Sequence, residues 1–312
     1  MEINKQDKIY IAGHNGMVGS AVWRMLETSG YKNLVGKSSK ELDLRNQQAV
    51  EDFFNLEKPD IVILAAAKVG GIEANRTNQA QFIYDNLSIQ NNVIHTAYLS
   101  GVKKLVFLGS SCIYPKNCPQ PMKEEYMLTG PLEPTNEGYA VAKLAGMKLT
   151  EYYNRQYGFN AISLIPSNLY GINDSFDLKN SHVLSALVKK FVDAVDGEKQ
   201  TVTVWGTGNA KREFTHVDDA ATAIVLAMEK YEEPTCMNIG SSEEVSIQQL
   251  AQLIKEKSGF TGELIWDDSI PDGMMRKLMD NTKIKSLGFI HQIPLEMGVE
   301  EMINYYREIK SR

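Results

Sequence analysis

Five short apolar runs, unbroken rather than alternating, limit what this 312-residue chain can fold into. They are KIYIAG (8–13), NLVGK (33–37), IVILAAA (61–67), KLVFLGSS (104–111) and NAISLIP (160–166). A strand with one wet face alternates apolar and polar residues; a strand covered on both faces does not. Between the runs lie segments of helical period. In SAVWRMLETSG, Val22, Met25 and Leu26 share a face and Gly30 stands where it can end the helix. NQQAVEDFF, FIYDNLSIQNNVIHTAYLSG and YAVAKLAGMKLTEYYNRQYG follow the same pattern. Buried strands alternating with amphipathic helices predict an α/β fold built on a doubly wound parallel sheet.

After about Gly171 the rhythm changes. INDSFDLKNSH (172–182) reads as a polar loop and TVTVWGTG (201–208) as an isolated strand and turn. DDAATAIVLAMEK, MNIG and SIQQLAQLIKEK read as a return to the sheet before the chain finishes in a smaller lobe. The expected organisation is a dinucleotide-binding domain over 1–171, with a returning segment around 214–240. A smaller C-terminal lobe over 172–312 would hold mainly substrate. The length accommodates one large α/β domain or two such lobes.

Charge and cysteine usage exclude several classes of function. A net charge of −6 and a sequence pI near 5.5 leave no basic footprint for nucleic acid. The apolar run 61–67 is too short to cross a bilayer, and the charged start MEINKQDK does not read as a secretory leader. Cys112, Cys118 and Cys236 make an odd count without C-x-x-C spacing. That argues against a disulfide framework or a zinc site and for a reducing cytoplasm. The expected partner is a small molecule, with no nucleic acid, membrane or metal.

GHNGMVG places Gly13, Gly16 and Gly19 directly after the first strand and at the start of the first helix, with Asn15, Met17 and Val18 in the same turn. Glycines there let the backbone approach a pyrophosphate, whose charge meets the helix N-terminus. An NAD site usually carries an acid about 20 residues further on, gripping the ribose hydroxyls. Here Lys37, Ser38, Ser39 and Lys40 occupy that region. Hydroxyls and ammonium groups suit a 2′-phosphate and favour NADP(H), although the stretch also reads as a solvated polar turn. Tyr139 and Lys143 stand four apart in YAVAK, on one face of a helix. An ammonium near a phenol is expected to lower the tyrosine pKa from about 10, making Tyr139 a usable proton donor, while Lys143 can also hold a ribose hydroxyl. Alone, that spacing is equally an ordinary helix face.

The glycine loop, the strand ending in GSS and the Tyr-x-x-x-Lys pair, in that order, resemble the extended short-chain dehydrogenase/reductase family. On that resemblance Ser110 is the third catalytic member, Asp43 and Leu44 lie near the adenine, and Ala65 and Ala66 line the cofactor. KVGGI (68–72), GSSCIYP, LEPTNEGYAVAK, PSNLYG, NSHV, VWGTG, REFTHVDD and PDG resemble more narrowly the GDP-L-fucose synthases, over essentially the whole chain. That family implies a Rossmann domain with a substrate lobe, a homodimer formed through helices, NADP(H), and a GDP-sugar substrate epimerised at C3 and C5, then reduced at C4. It implies Cys112 as epimerisation base and His182 as the acid, with His182 also near the cofactor. Pro166, Asn168 and Leu169 would touch the cofactor, and Ser111, Asn168, Lys190, Trp205, Arg212 and Asp272 the substrate. Taken singly, Trp205 is as well read as core, Arg212 as a solvated charge and His182 as an exposed bystander. Many members direct one arginine from the glycine loop and another from beyond the second strand at the 2′-phosphate; here Asn15 and Ser39 stand there. Others carry a Ser-Ser-Lys stretch like 38–40. With a reduced, uncharged nicotinamide, help for the Cys112 thiolate is expected from His182 or nearby amides. A related GDP-linked 4-keto sugar such as a deoxyheptose, a nucleotide-sugar 4-epimerase, and a non-catalytic dinucleotide sensor are the alternatives.

The reading at 37–40 predicts that NADPH is preferred to NADH. Ser39→Asp should shift kcat/KM toward NADH by placing a carboxylate where the phosphate would sit; steady-state kinetics with both reductants checks it, and a wild type equally fast with NADH contradicts it.

Overall fold

The computed structural model describes residues 3–178, 181–270 and 272–311. Asn180 of the NSHV block and Pro271 of PDG lie outside the described residues. The apolar runs form strands β1 (Ile9–Ala12), β2 (Leu34–Val35), β3 (Ile61–Leu64), β4 (Lys104–Leu108) and β5 (Ala161–Pro166). Between them lie helices α1 (Met17–Thr28), α2 (Gln47–Glu57), α3 (Ile72–Thr77), α4 (Gln79–Leu99) and α5 (Glu137–Tyr157). The remaining elements are β6 (Asn168–Tyr170), α6 (Val183–Asp196), β7 (Thr201–Trp205), β8 (Lys211–His216), α7 (Val217–Lys230), β9 (Met237–Ile239), β10 (Glu244–Ser246), α8 (Ile247–Ser258), β11 (Glu263–Asp267), β12 (Arg276–Lys277), α9 (Thr282–Ser286) and α10 (Leu295–Ser311).

The central sheet has the order β2-β1-β3-β4-β5-β9, all parallel. Its residues divide between two cores at the strand period of two. Ile9, Ile11, Ile61, Ile63, Val106 and Leu108 face α1 and α7, whereas Tyr10, Val62, Leu64, Leu105 and Phe107 face α2, α4 and α5. Burial on both faces is why these strands read as continuous apolar runs. The winding reverses between β1 and β3, so the ends of those strands open a crevice where doubly wound sheets bind ligands.

A second set of elements packs beside the C-terminal ends of the sheet. Strand β8 is bordered by β6, β10 and β12, and β7 pairs in parallel with β11. Strand β7 is therefore not isolated, as TVTVWGTG read alone; its partner lies some 60 residues away along the chain and leaves no local signal. Helices α6, α8 and α10 close a third core around Phe191, Leu250, Ile254 and Met302.

One charge is buried at the N-terminal end of β4, inside the sheet. Lys104 is 1% exposed and donates to the carbonyl of Tyr231. Burial pushes its ammonium down to about 8. The unfolded chain, with an ordinary lysine, binds more protons between that value and about 10.4, so stability rises as pH rises through this window and is lost as pH falls from about 10.4 to 8. Lys104→Met, which carries no such charge, should gain on wild type at pH 7. Its advantage should shrink by about 2 kcal/mol between pH 7 and pH 9.5, measured as the difference of two urea unfolding curves.

Candidate active site

The end of β4 is the centre of the site. Beyond Leu108 the chain makes a short 3-10 turn over Ser111–Ile113, capped by Ser110, whose hydroxyl accepts from the Cys112 amide at 3.4 Å. Helix α5 begins beside it. Its Gly138 lies so close to the start of α4 that a Cβ would sit 2.7 Å from the Gln79 carbonyl oxygen. That close approach sets Tyr139 near enough to Ser110 for the hydroxyl to ease the phenol's ionisation, and edge-on to Phe82. One turn on, the Lys143 ammonium donates to the Leu108 carbonyl at 2.8 Å and lies 4.8 Å from the Phe107 ring centre. Ser110, Tyr139 and Lys143 are thus gathered at one strand end.

The expectation for Tyr139 is corrected. Its pKa is raised, not lowered, because burial penalises the phenolate, and Lys143 is not among the groups opposing that burial. The ammonium is turned toward Leu108, 6.0 Å from the Tyr139 ring centre, and burial pushes it down to about 8. A spacing of four residues puts two side chains on one face; it does not say which way the longer one turns.

Cys112 is 6% exposed and Ser111 beside it is likewise buried. Burial pushes the thiol up; against it act, in order, the charge of Lys277, the Ser110 hydroxyl, the charge of Lys143 and a backbone amide. Of the two expected sources of help, a backbone amide is among these groups; the His182 imidazole is not, and acts on Asp174. His182 is exposed at the N-cap of α6. Asp174 accepts from the Ser185 hydroxyl of that helix and from the Ser175 amide at 2.8 Å. Lys277 went unnoticed in the sequence, where it is one lysine in an irregular stretch. Cys118 and Cys236 have thiols raised by burial, Cys236 to about 12.

The glycine turn forms a cradle. Gly13 has φ +87°, and a Cβ there would lie 2.8 Å from the Ala66 nitrogen. A Cβ on Gly19 would lie 2.1 Å from the Gly13 oxygen. The turn is therefore pressed against Ala65 and Ala66 at the end of β3. Gly16 caps α1 without any side-chain bond, and the first turn holds no acid, so the amide donors there suit an anion. Asn15 is exposed, while Met17 and Val18 are half-buried at the helix start. His14 sits where a Cβ on Gly36 would be, and its buried Nδ1 has no hydrogen-bond partner among the described residues.

At 37–41 a carboxylate is present after all. Glu41 accepts from the Ser38 amide at 2.8 Å and the Ser38 hydroxyl at 2.6 Å. Ser38 is therefore engaged, and Ser39 and Lys40 are the exposed groups of the stretch. The reason is local: the Glu41 amide donates to the Ser38 carbonyl at 3.0 Å, and that turn brings the carboxylate back onto the Ser38 amide and hydroxyl. Asp43 is bound by Arg45, which also reaches Asp85, and the Leu44 carbonyl accepts from Asn92. Half-buried Pro166 ends β5, and Asn168, next to half-buried Leu169, donates to the Glu213 carbonyl at 3.0 Å.

A separate cluster forms at β7 and β8. The Lys190 ammonium donates to the Thr203 carbonyl at 2.9 Å and sits 5.1 Å from the Trp205 ring centre. Trp205 is 59% exposed, an unusual position for so large an apolar ring. Arg212 donates to the carbonyls of Lys211 and Asp272. Burial lowers the pKa of both cations, and neither makes an ion pair among the described residues. Asp272 accepts from the amide and hydroxyl of Thr207, which fixes the turn after Trp205. Two cations without counter-ions beside an exposed indole make a place for a ligand with an anionic group and a flat ring.

With this geometry in place, comparison with known proteins is informative. Residues 9–240 match the NAD dependent epimerase/dehydratase family. A GDP-L-fucose synthase from Arabidopsis thaliana is 54% identical over 303 residues, 97% of this chain and 94% of that protein. The GDP-L-fucose synthase of Escherichia coli strain K12 is 48% identical over 316 residues, 98% of each. The structure of a GDP-mannoheptose C4 reductase from Campylobacter jejuni with NADP bound superposes with a TM-score of 0.89 at 43% identity, covering 98% of this chain and 99% of that one.

Proposed function

Since the chain belongs to the NAD dependent epimerase/dehydratase family and, within it, to the GDP-L-fucose synthases, we infer that it converts GDP-4-keto-6-deoxy-D-mannose to GDP-L-fucose. It is a bifunctional enzyme, an epimerase and an NADP(H)-dependent reductase. The observation that carries the reading is the meeting of two kinds of chemistry at the end of β4: Ser110 with Tyr139 and Lys143, and Cys112 two residues on.

Bound NADPH supplies the hydride that C4 receives. The cradle fits it: amides of the turn from Gly13 through Asn15, Gly16, Met17, Val18 and Gly19 would hold the pyrophosphate, and Ser39 and Lys40 the 2′-phosphate, where Ser38 is taken by Glu41. Asp43, Leu44, Ala65, Ala66, Pro166, Asn168, Leu169 and His182 would line the remainder, and Lys143 would hold a ribose hydroxyl. Ser110 holds the C4 oxygen and Tyr139 delivers its proton. Burial keeps Tyr139 protonated at neutral pH but makes it a weak acid; proton delivery then calls for the Lys143 ammonium to turn from the Leu108 carbonyl to the developing phenolate. Cys112 removes a proton from C3 or C5 of the keto sugar and His182 returns one to the opposite face, which inverts the carbon without redox. Lys190 and Arg212 take the GDP diphosphate, Trp205 a flat or apolar part of the ligand, and Ser111, Asn168 and Asp272 complete the pocket.

We place the enzyme in the cytoplasm, with free cysteines and, among the described residues, no helix long and apolar enough to cross a membrane. We assign a homodimer through α4 and α5, whose outer faces expose Tyr84, Leu99, Val141 and Tyr152. The likeness to the Campylobacter reductase favours a second reading, the same chemistry or part of it on a GDP-linked heptose.

Incubation with GDP-4-keto-6-deoxy-D-mannose and NADPH in heavy water, with the product identified by NMR, tests the reading; no NADPH consumption, or reduction without deuterium at C3 and C5, rejects it in whole or in half. Tyr139→Phe should slow reduction by about a hundredfold or more while deuterium uptake persists, and Cys112→Ser should abolish uptake while reduction of the unepimerised ketone survives. Because Lys143 is charged only below about 8, kcat/KM for reduction should fall as pH rises through that value. Lys143→Arg, slower overall, should not show that fall between pH 7 and pH 9, and a wild-type profile flat across this range would refute the role.

A further inference from the structure

Lys277 is placed by bonds on both sides of its short strand. In β12 it stands beside Arg212 of β8 in parallel register. The Leu278 amide donates to Gln120 Oε1 at 2.9 Å, the Met279 amide to Glu213 Oε2 at 2.8 Å, and the Met122 amide to the Leu278 carbonyl at 2.7 Å. Residues 120–122 belong to the segment leaving Cys112. The strand is therefore tied to β8 on one side and to the continuation of the Cys112 turn on the other.

The placement is electrostatically costly. Lys277 and Arg212 are like charges on directly paired residues, an unfavourable cross-strand arrangement. Lys277 makes no side-chain hydrogen bond or ion pair among the described residues. The groups acting on it are Cys112, Arg212 and Glu133, and Glu133 is already engaged by Lys116 at 3.1 Å. From the other side, the charges of Lys277 and Lys143 act on Cys112, Cys112 acts on Tyr139, and the Ser110 hydroxyl accepts from the Cys112 amide. Lys143 is engaged by the Leu108 carbonyl, which leaves Lys277 as the cation with no other partner.

We propose that Lys277 is the positioning residue whose charge favours the thiolate of Cys112 against the neutral thiol, so that the thiolate with the ammonium beside it is the base of the epimerisation. The proposal rests on the reading of Cys112 as base. In the step, the thiolate takes a proton from the carbon beside the ketone: an S–H bond forms, a C–H bond breaks, and the electron pair moves into the C4 carbonyl as an enolate. Protonation on the other face restores the ketone, and no electron leaves the sugar. The Lys277 ammonium stabilises the anion first on sulfur, then on the enolate.

The test is a pH titration of thiolate ultraviolet absorbance, taken as the difference between each protein and its Cys112→Ser counterpart, so that Cys118 and Cys236 cancel. Lys277→Met and Lys277→Gln, checked for folding by circular dichroism, should raise the Cys112 midpoint by about one pH unit, a tenfold loss of thiolate at neutral pH, and Lys277→Arg should restore it. Deuterium uptake at C3 and C5 should fall about tenfold at neutral pH in the Met variant and recover as pH is raised. Unchanged midpoints in folded Met and Gln variants overturn the proposal. If the midpoint moves while Cys112→Ser exchanges deuterium normally, the pairing of Lys277 with Cys112 stands and the base assignment falls.

Discussion

A single buried carboxylate, which makes no ion pair among the described residues, holds the two halves of the site in register. Glu213 on β8 is 0% exposed and accepts from the Ser242 amide at 2.6 Å, the Met279 amide at 2.8 Å and the Asn281 side chain at 2.8 Å. Burial raises its pKa and those donors oppose the rise. Three donors from chain segments on either side of β10 and β12 meet one acceptor, so each segment's path is fixed by the need to keep a buried acceptor satisfied. Gly240 leaves the room, since a Cβ there would lie 2.1 Å from Glu213 Oε1. Asn238 repeats the device one layer away, bonding Glu124, Tyr114, Met122 and Asp280. Between them these two residues join the end of the central sheet, the segment after Cys112 and strand β12.

The consequence is chemical as well as structural. Cys112, Arg212 and Lys277 lie far apart in sequence and carry opposite or matching charges whose separation decides their protonation. A network of short bonds to buried groups keeps those separations constant, where exposed side chains alone would screen and wander. The reductive groups need less support, because Ser110, Tyr139 and Lys143 all start from one strand end and one helix face.

That contrast explains what could be read in the sequence. The five central strands and their helices are visible because burial on two faces and the helical period write themselves into consecutive residues. Tyr139 and Lys143 are visible because one helix turn links them. Strands β6, β10 and β12, two or three residues long, have no period to show, and β7 found a partner in β11 that spacing could not indicate. Glu41 was in plain view but its reach back to Ser38 depends on a turn, and Lys277 is functional only through the register of β12. The direction of the Tyr139 shift could not be read from spacing at all, since it depends on burial and on the Leu108 carbonyl that draws Lys143 away.

Four cations of the site stand without a carboxylate partner among the described residues. Lys190, Arg212, Lys277 and Lys143 all have their charged forms penalised by burial, and none makes an ion pair among the described residues. Burying a charge without a partner costs free energy that packing must offset. On the assignments proposed above, the ligands supply that offset. A nucleoside diphosphate at Lys190 and Arg212, and an anion on Cys112 or on the sugar near Lys277 and Lys143, would each supply the missing counter-charge in a place where water is scarce. Binding energy gained on the diphosphate is thereby gained far from the reacting carbons, while the cations nearer the sugar find their partner only when a proton has left carbon or sulfur. Such a division favours the charge-separated state of the reaction over the bound ground state, which is the condition for binding to become catalysis.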